Sequence, residues 1–80
     1  NFPNPFNPIT TISYSLPKES FVRMRVFNVR GAVVKDLVAE TKSAGTHSVT
    51  FDARDLSSGL YFYRLDAGDF SETRRMTLVK

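Results

Sequence analysis

Few residues in this chain could do chemistry. There is one histidine, His47, and there is no cysteine. A nucleophile–base–acid relay needs an imidazole within hydrogen-bond reach of both a hydroxyl and an orienting carboxylate. His47 instead stands in an alternating run, at the parity of Val49 and Phe51. That is the position of a half-buried packing residue. Serines are plentiful, but none sits in a Gly-x-Ser-x-Gly elbow. Paired carboxylates hydrolyse glycosides only across a cleft, and eighty residues leave little room for one. The absence of cysteine removes a thiolate nucleophile, a thiolate metal site and any disulfide framework. The chain is therefore expected not to be an enzyme and to carry no cofactor.

Two acidic pairs remain, Asp52-x-x-Asp55 and Asp66-x-x-Asp69. Calcium takes oxygen ligands from loops of this kind. No D-x-D-x-D-G run accompanies them, however, and aspartate is common in turns because it bonds its own backbone two residues on. They are read as turn residues. Basic residues cluster only at Arg23/Arg25 and Arg74/Arg75, within a formal net charge of +3. A nucleic-acid binder shows a denser basic stripe with aromatics between, so no nucleic-acid partner is expected. By parity, Phe27, Phe62 and Phe70 could face solvent as a sugar-stacking platform. Such platforms favour Trp and Tyr; the chain has no Trp, and Tyr61 and Tyr63 share the parity of Leu65. A carbohydrate-binding module is kept as a less favoured alternative. Exposed arginines on strands, beside an unpaired sheet edge, suit a docking module instead.

These residues sit on elements whose dominant pattern is period two. Ile12, Tyr14 and Leu16 share one face of residues 11–16. Val22, Met24 and Val26 share one face of 21–29, with Arg23, Arg25 and Phe27 opposite. Residues 28–31 form a turn with Gly31 at positive φ. A short strand is expected over 32–38, a polar loop over 39–45 and a strand over 46–52. A corner follows at 52–59, with room for one helical turn. Tyr61, Tyr63 and Leu65 share one face of 60–65. Residues 66–69 make a four-residue connection into a final strand, 70–80, with Met76 and Leu78 on one face and Arg75, Thr77 and Val79 on the other. The last two strands should form a hairpin. No segment offers a helical apolar face, and six or seven short strands make a β-sandwich.

Ahead of this body lies Asn1-Phe2-Pro3-Asn4-Pro5-Phe6-Asn7-Pro8. Its prolines fix φ, remove donors and push their predecessors to extended conformations. Residues 1–8 are read as a proline-rich leader and 9–80 as one domain, with Phe6 expected to pack on the sandwich. No apolar run reaches the roughly 18 residues of a membrane span, and no signal-peptide pattern is present. Membrane insertion is not expected. An export address would lie elsewhere in a longer parent chain, or the domain itself would be the address.

Three stretches then point to a family. They are Pro3-Asn4-Pro5-Phe6-Asn7-Pro8 leading into Thr10-Thr11-Ile12-Ser13-Tyr14; Val26-Phe27-Asn28-Val29-Arg30-Gly31-Ala32-Val33-Val34; and Gly45 to Asp52 followed by Leu56-Ser57-Ser58-Gly59-Leu60-Tyr61-Phe62-Tyr63-Arg64-Leu65, ending in Lys80. Together they resemble the type A C-terminal sorting domain of the type IX (Por) secretion system of Bacteroidetes-like bacteria. The module is also similar to the Ig-like domain of the flagellar hook-capping protein. The resemblance implies an all-β, Ig-like β-sandwich of about seven antiparallel strands at the end of an exported protein. It implies passage through the periplasm, recognition by the outer-membrane translocon, cleavage by a sortase-like peptidase, and a final place outside a Gram-negative cell, secreted or on its surface. It also implies an N-terminal cargo domain in the same parent chain. Recognition is carried over to Arg74, Arg75, Met76, Leu78, Val79 and Lys80. Pro3, Asn4, Pro5, Phe6, Gly31, Gly59, Tyr61 and Tyr63 are carried over as structural motif residues. The alternative from the same resemblance is a structural Ig-like spacer or assembly domain.

Overall fold

Alternation becomes strand after strand in the computed structural model, which describes residues 8–79. The strands are β1 (Ile9–Leu16), β2 (Ser20–Phe27), β3 (Val33–Lys42), β4 (Gly45–Asp52), β5 (Gly59–Ala67) and β6 (Phe70–Leu78). All pairings are antiparallel. β1 and β4 form a two-stranded sheet; the other four form a sheet in the order β3-β2-β5-β6. This connectivity is that of strands B, C, C′, E, F and G of an immunoglobulin sandwich, with B–E in one sheet and C′–C–F–G in the other.

One parity of each strand supplies the core. Ile12, Tyr14 and Leu16 come from β1, Val22, Met24 and Val26 from β2, Tyr61, Tyr63, Leu65 and Ala67 from β5, and Met76 and Leu78 from β6. Phe51 closes β4, and it is fully buried with Met24, Met76, Val22 and Val26. A fully buried side chain of this size contributes roughly 1.5–3 kcal/mol through area alone. Pro8 extends the β1–β4 ladder, since its carbonyl accepts from the Ala53 N–H at 2.6 Å.

Three expectations are corrected. Six strands form among the described residues, the lower of the six or seven that alternation allowed and one fewer than the resemblance implied; in the corner after β4 the Leu56 N–H donates to the Ala53 carbonyl at 3.0 Å, and no helical turn forms there. The polar stretch read as a loop over 39–45 is largely strand: β3 runs to Lys42, pairing Ala39 with Arg23 and Lys42 with Ser20. β3 is an edge strand, exposed on both faces over 39–41, so no apolar alternation marks it. The β5–β6 hairpin is tighter than its four-residue reading. Asp66 pairs with Ser71 and Ala67 with Phe70, leaving only Gly68 and Asp69 in the loop. The expectations that fall on Pro3, Asn4, Pro5, Phe6 and Lys80 lie outside the described residues.

Phe51 tests the packing. Phe51→Ala should destabilise the domain by about 3–5 kcal/mol in denaturant unfolding, most of what a small domain has. Ser48→Ala, on the exposed face of the same strand, should stay within about 0.5 kcal/mol.

Candidate recognition site

β6 is an edge strand of the four-stranded sheet, and its parity divides the carried-over recognition set. Met76 and Leu78 are 0% and 1% exposed. They pair with Tyr61 and Gly59 and belong to the core, so a partner of the folded domain cannot touch them. Arg74, Arg75 and Val79 are exposed. Arg74 lies opposite Tyr63 and Arg75 opposite Phe62, so the two guanidinium groups leave opposite faces of the sheet. Arg74 reaches Glu72 two residues back, Nη2 to Oε2 at 2.6 Å and Nε to the same oxygen at 2.9 Å. That bond raises its pKa above the ordinary arginine value.

Arg74 has the parity of Met76 yet reaches solvent because the sandwich is incomplete there. Two strands cover four. Between the β1 and β6 edges lies a cavity of about 310 Å³, walled by Ile12, Ser13, Tyr14 and Ser15 on one side and Phe70, Glu72 and Arg74 on the other, with Met24, Tyr63 and Leu65 as its floor. A second hollow, of about 320 Å³, continues past the hairpin and shares Ser15 and Phe70. Phe70 is 51% exposed. Burial pushes the Tyr63 and Tyr14 hydroxyls above the ordinary tyrosine pKa.

The two motif glycines mark the ends of strands. Gly31 has φ +85° and closes a turn organised by Asn28, whose Oδ1 accepts from the N–H groups of Arg30 (2.9 Å) and Ala32 (3.0 Å). Gly59 has φ +153° and opens β5; both are conformations that L side chains rarely adopt. Tyr61 and Tyr63 are core residues. The Tyr61 hydroxyl donates to the Ser57 carbonyl at 2.7 Å, four residues upstream at the corner entering β5. This is the tyrosine corner of immunoglobulin-like sandwiches. Sequence reading assigned Tyr61 to the core by parity and missed this bond; a tyrosine opening a strand after a Ser-Ser-Gly corner was the available signal.

His47, Lys35, Asp52 and Arg54 make their contacts within the fold. The His47 ring stacks on Tyr14, its cross-strand partner, at 5.5 Å between centroids and 28° between planes. Its Nε2 lies 2.8 Å from the Ser43 carbonyl. Asp52 accepts from the Arg54 backbone N–H at 3.1 Å and pairs with its guanidinium at 2.8 Å. Lys35 donates to the Asp52 carbonyl at 2.7 Å and lies 3.2 Å from Asp55. Among the described residues no three His, Cys, Asp or Glu side chains gather as metal ligands, and no helix is long and apolar enough to cross a membrane. With that geometry in view, residues 1–79 match a family model described as the secretion system C-terminal sorting domain. No curated protein matches the chain.

Two measurements follow from the corner between β4 and β5. Tyr61→Phe removes one partly buried hydrogen bond and should lower unfolding free energy by about 0.5–1.5 kcal/mol. The Arg54 side chain and backbone hold the Asp52 carboxyl at about 2, below the ordinary 3.8. A carboxyl depressed in the folded state stabilises at pH above the unfolded value, and that contribution is lost as pH falls through the folded value. Stability should therefore drop between pH 3.8 and about 2, and Asp52→Asn should flatten that limb in an acid titration followed by circular dichroism.

Proposed function

The chain belongs to the secretion system C-terminal sorting domain family, the Por tail of type IX secretion, and on that premise we propose that the exposed side of its last strand is what the outer-membrane translocon reads. The family assigns the domain a role as a sorting signal, joined to a cargo protein on its N-terminal side and carried by Gram-negative bacteria to the cell surface or beyond. The finer reading concerns how. The family match over residues 1–79 carries it, and the display of Arg74, Arg75 and Val79 at a free sheet edge supports it. Unpaired edge backbone and planar guanidinium groups suit protein–protein recognition. Lys80 is part of the proposed element. Met76 and Leu78 act within it by anchoring the strand to the core.

The rest of the reading follows from the same premise. The domain is an address and not a catalyst. The parent reaches the periplasm first, a sortase-like peptidase cuts within or before the proline-rich leader, and the translocon takes up the cargo while this domain is folded.

Residues 1–80 fused behind a periplasmic reporter, in a host with type IX secretion, test the proposal. The fusion should reach the medium or cell surface, and removing Phe70–Lys80 should leave it in the periplasm. That deletion also strips two core residues, so Arg74→Ala with Arg75→Ala is the sharper variant. It should keep the melting temperature and lose most export. Export unchanged by the double variant sinks the edge mechanism; an intact fusion that never leaves the periplasm sinks the proposed function.

A further inference from the structure

The outward face of the four-stranded sheet takes no part in the core or in the β1–β6 hollow. Residues paired across strands share a face, which lines them up in rows. One row is Val33 on β3, Phe27 on β2, Phe62 on β5 and Arg75 on β6. The next is Asp36, Arg25, Arg64 and Thr73, and the third begins Ala39, Arg23, Asp66. The first row is apolar as far as Arg75. Phe27 and Phe62 are half-buried, while Val33 is 46% exposed. Leu60 and Val79 continue the patch at its open end, 36% and 49% exposed.

Arginines rim this patch and outnumber the acids beside them. Four of them, Arg23, Arg25, Arg64 and Arg75, share the face with Asp36 and Asp66. Asp66 is divided between Arg64, at 3.0 Å, and Arg25, at 3.7 Å. The Arg25 Nε is buried without a hydrogen-bond partner among the described residues. Its guanidinium carbon lies 5.4 Å from the Phe27 ring centroid. An apolar aromatic centre within an arginine rim is the composition of energetically dominant protein interface residues.

We infer that this face, centred on Val33, Phe27 and Phe62 and rimmed by Arg25, Arg64 and Arg75, is a docking surface for a protein segment with an apolar centre flanked by carboxylates. The excess of arginine selects the carboxylates, and two such faces would repel each other as a self-pair. A nucleic acid fits less well. The position over Phe27 where a base would stack is taken by Arg25, and Asp36 and Asp66 would oppose a phosphate chain. A lipid surface would need protruding aromatic side chains, but Phe27 and Phe62 are half-buried in the sheet face. Only Arg75 and the flanking Val79 are shared with the β6 edge, and the centre at Phe27 and Phe62 is not, so this inference stands apart from the terminal-strand mechanism.

The test uses the 80-residue chain labelled with nitrogen-15 and titrated with a short peptide of glutamates around a leucine–phenylalanine centre. Amide shifts should concentrate on Phe27, Phe62, Arg64 and their row neighbours and should weaken with added salt. Arg64→Glu and Phe62→Ala should each reduce affinity at least about tenfold. If Phe62→Ala fails to fold, Arg64→Glu, exposed and outside the core, decides alone. Shifts in the β1–β6 hollow, or none, would overturn the inference. So would equal binding of a lysine version of the peptide, stronger binding to single-stranded DNA or to phosphatidylglycerol vesicles, or a dimer in sedimentation that buries this face. A fusion that fails to export while the labelled chain binds the peptide would leave this surface standing and count only against the sorting mechanism.

Discussion

Two strands have to cover the inner face of four. Everything else in this molecule follows from that inequality. β1 and β4 reach far enough to seal Val22, Met24 and Val26 on β2 and Met76 and Leu78 on β6, all at 0–1% exposure. They do not reach the hairpin end of β6. There the inner parity emerges as Glu72 and Arg74, and a hollow opens between the β1 and β6 edges. Inner-facing polar residues at the rim, rather than a wider second sheet, terminate the core. The Glu72–Arg74 pair is partly exposed, so neither charge is stranded in the apolar interior, which would be far more unfavourable than leaving it wet.

Surface charge is organised along strands more than between them. Among the described residues, four of the six ion pairs join residues two apart: Glu40–Lys42, Asp52–Arg54, Arg64–Asp66 and Glu72–Arg74. Alternation puts such residues side by side on one face. Exposed pairs of this kind contribute roughly 0–1 kcal/mol each, so the fold does not rest on them. Their effect is to set which charges each face presents. They leave the outer face of the four-stranded sheet with more arginine than acid, and they place lysine and glutamate near the far end of the β3 edge, where charge discourages indiscriminate strand pairing.

Legibility in the sequence tracked burial. β1, β2 and β5 each bury one face, and their parity predicted every buried residue from Ile12 to Leu65 on those strands. β3 is an edge exposed on both sides, so its second half carried polar residues at both parities and read as a loop. The hairpin read longer than it is because Asp66, a typical turn residue, is in fact paired with Ser71 and held by Arg64. The turn at Asn28–Gly31 was legible because its chemistry is local: one side-chain oxygen accepts from two backbone donors within four residues. The tyrosine corner and the Lys35 bridge to Asp52 were not, since each depends on a strand meeting a corner that sequence spacing does not place. In the terminal strand the parity itself was visible, but grouping Met76 and Leu78 with Arg74 and Arg75 joined side chains that the fold buries with side chains that it exposes.

That separation gives the last strand its character. The same nine-residue segment, Phe70–Leu78, inserts Met76 and Leu78 into the core and thereby fixes the register that sets Arg74 opposite Tyr63 and Arg75 opposite Phe62. A slip of one residue would bring Arg75 and Thr77 to the core parity and expel both apolar anchors. The register is therefore held by the full burial of two side chains, and the outward arrangement of arginines is a consequence of it. In an extended, unfolded chain the same residues are present but have no fixed spacing to Phe62, Phe27 or the groove beside Tyr14. What this domain can display to another protein is a property of the closed sandwich, set by which parity of β6 the two covering strands are able to bury.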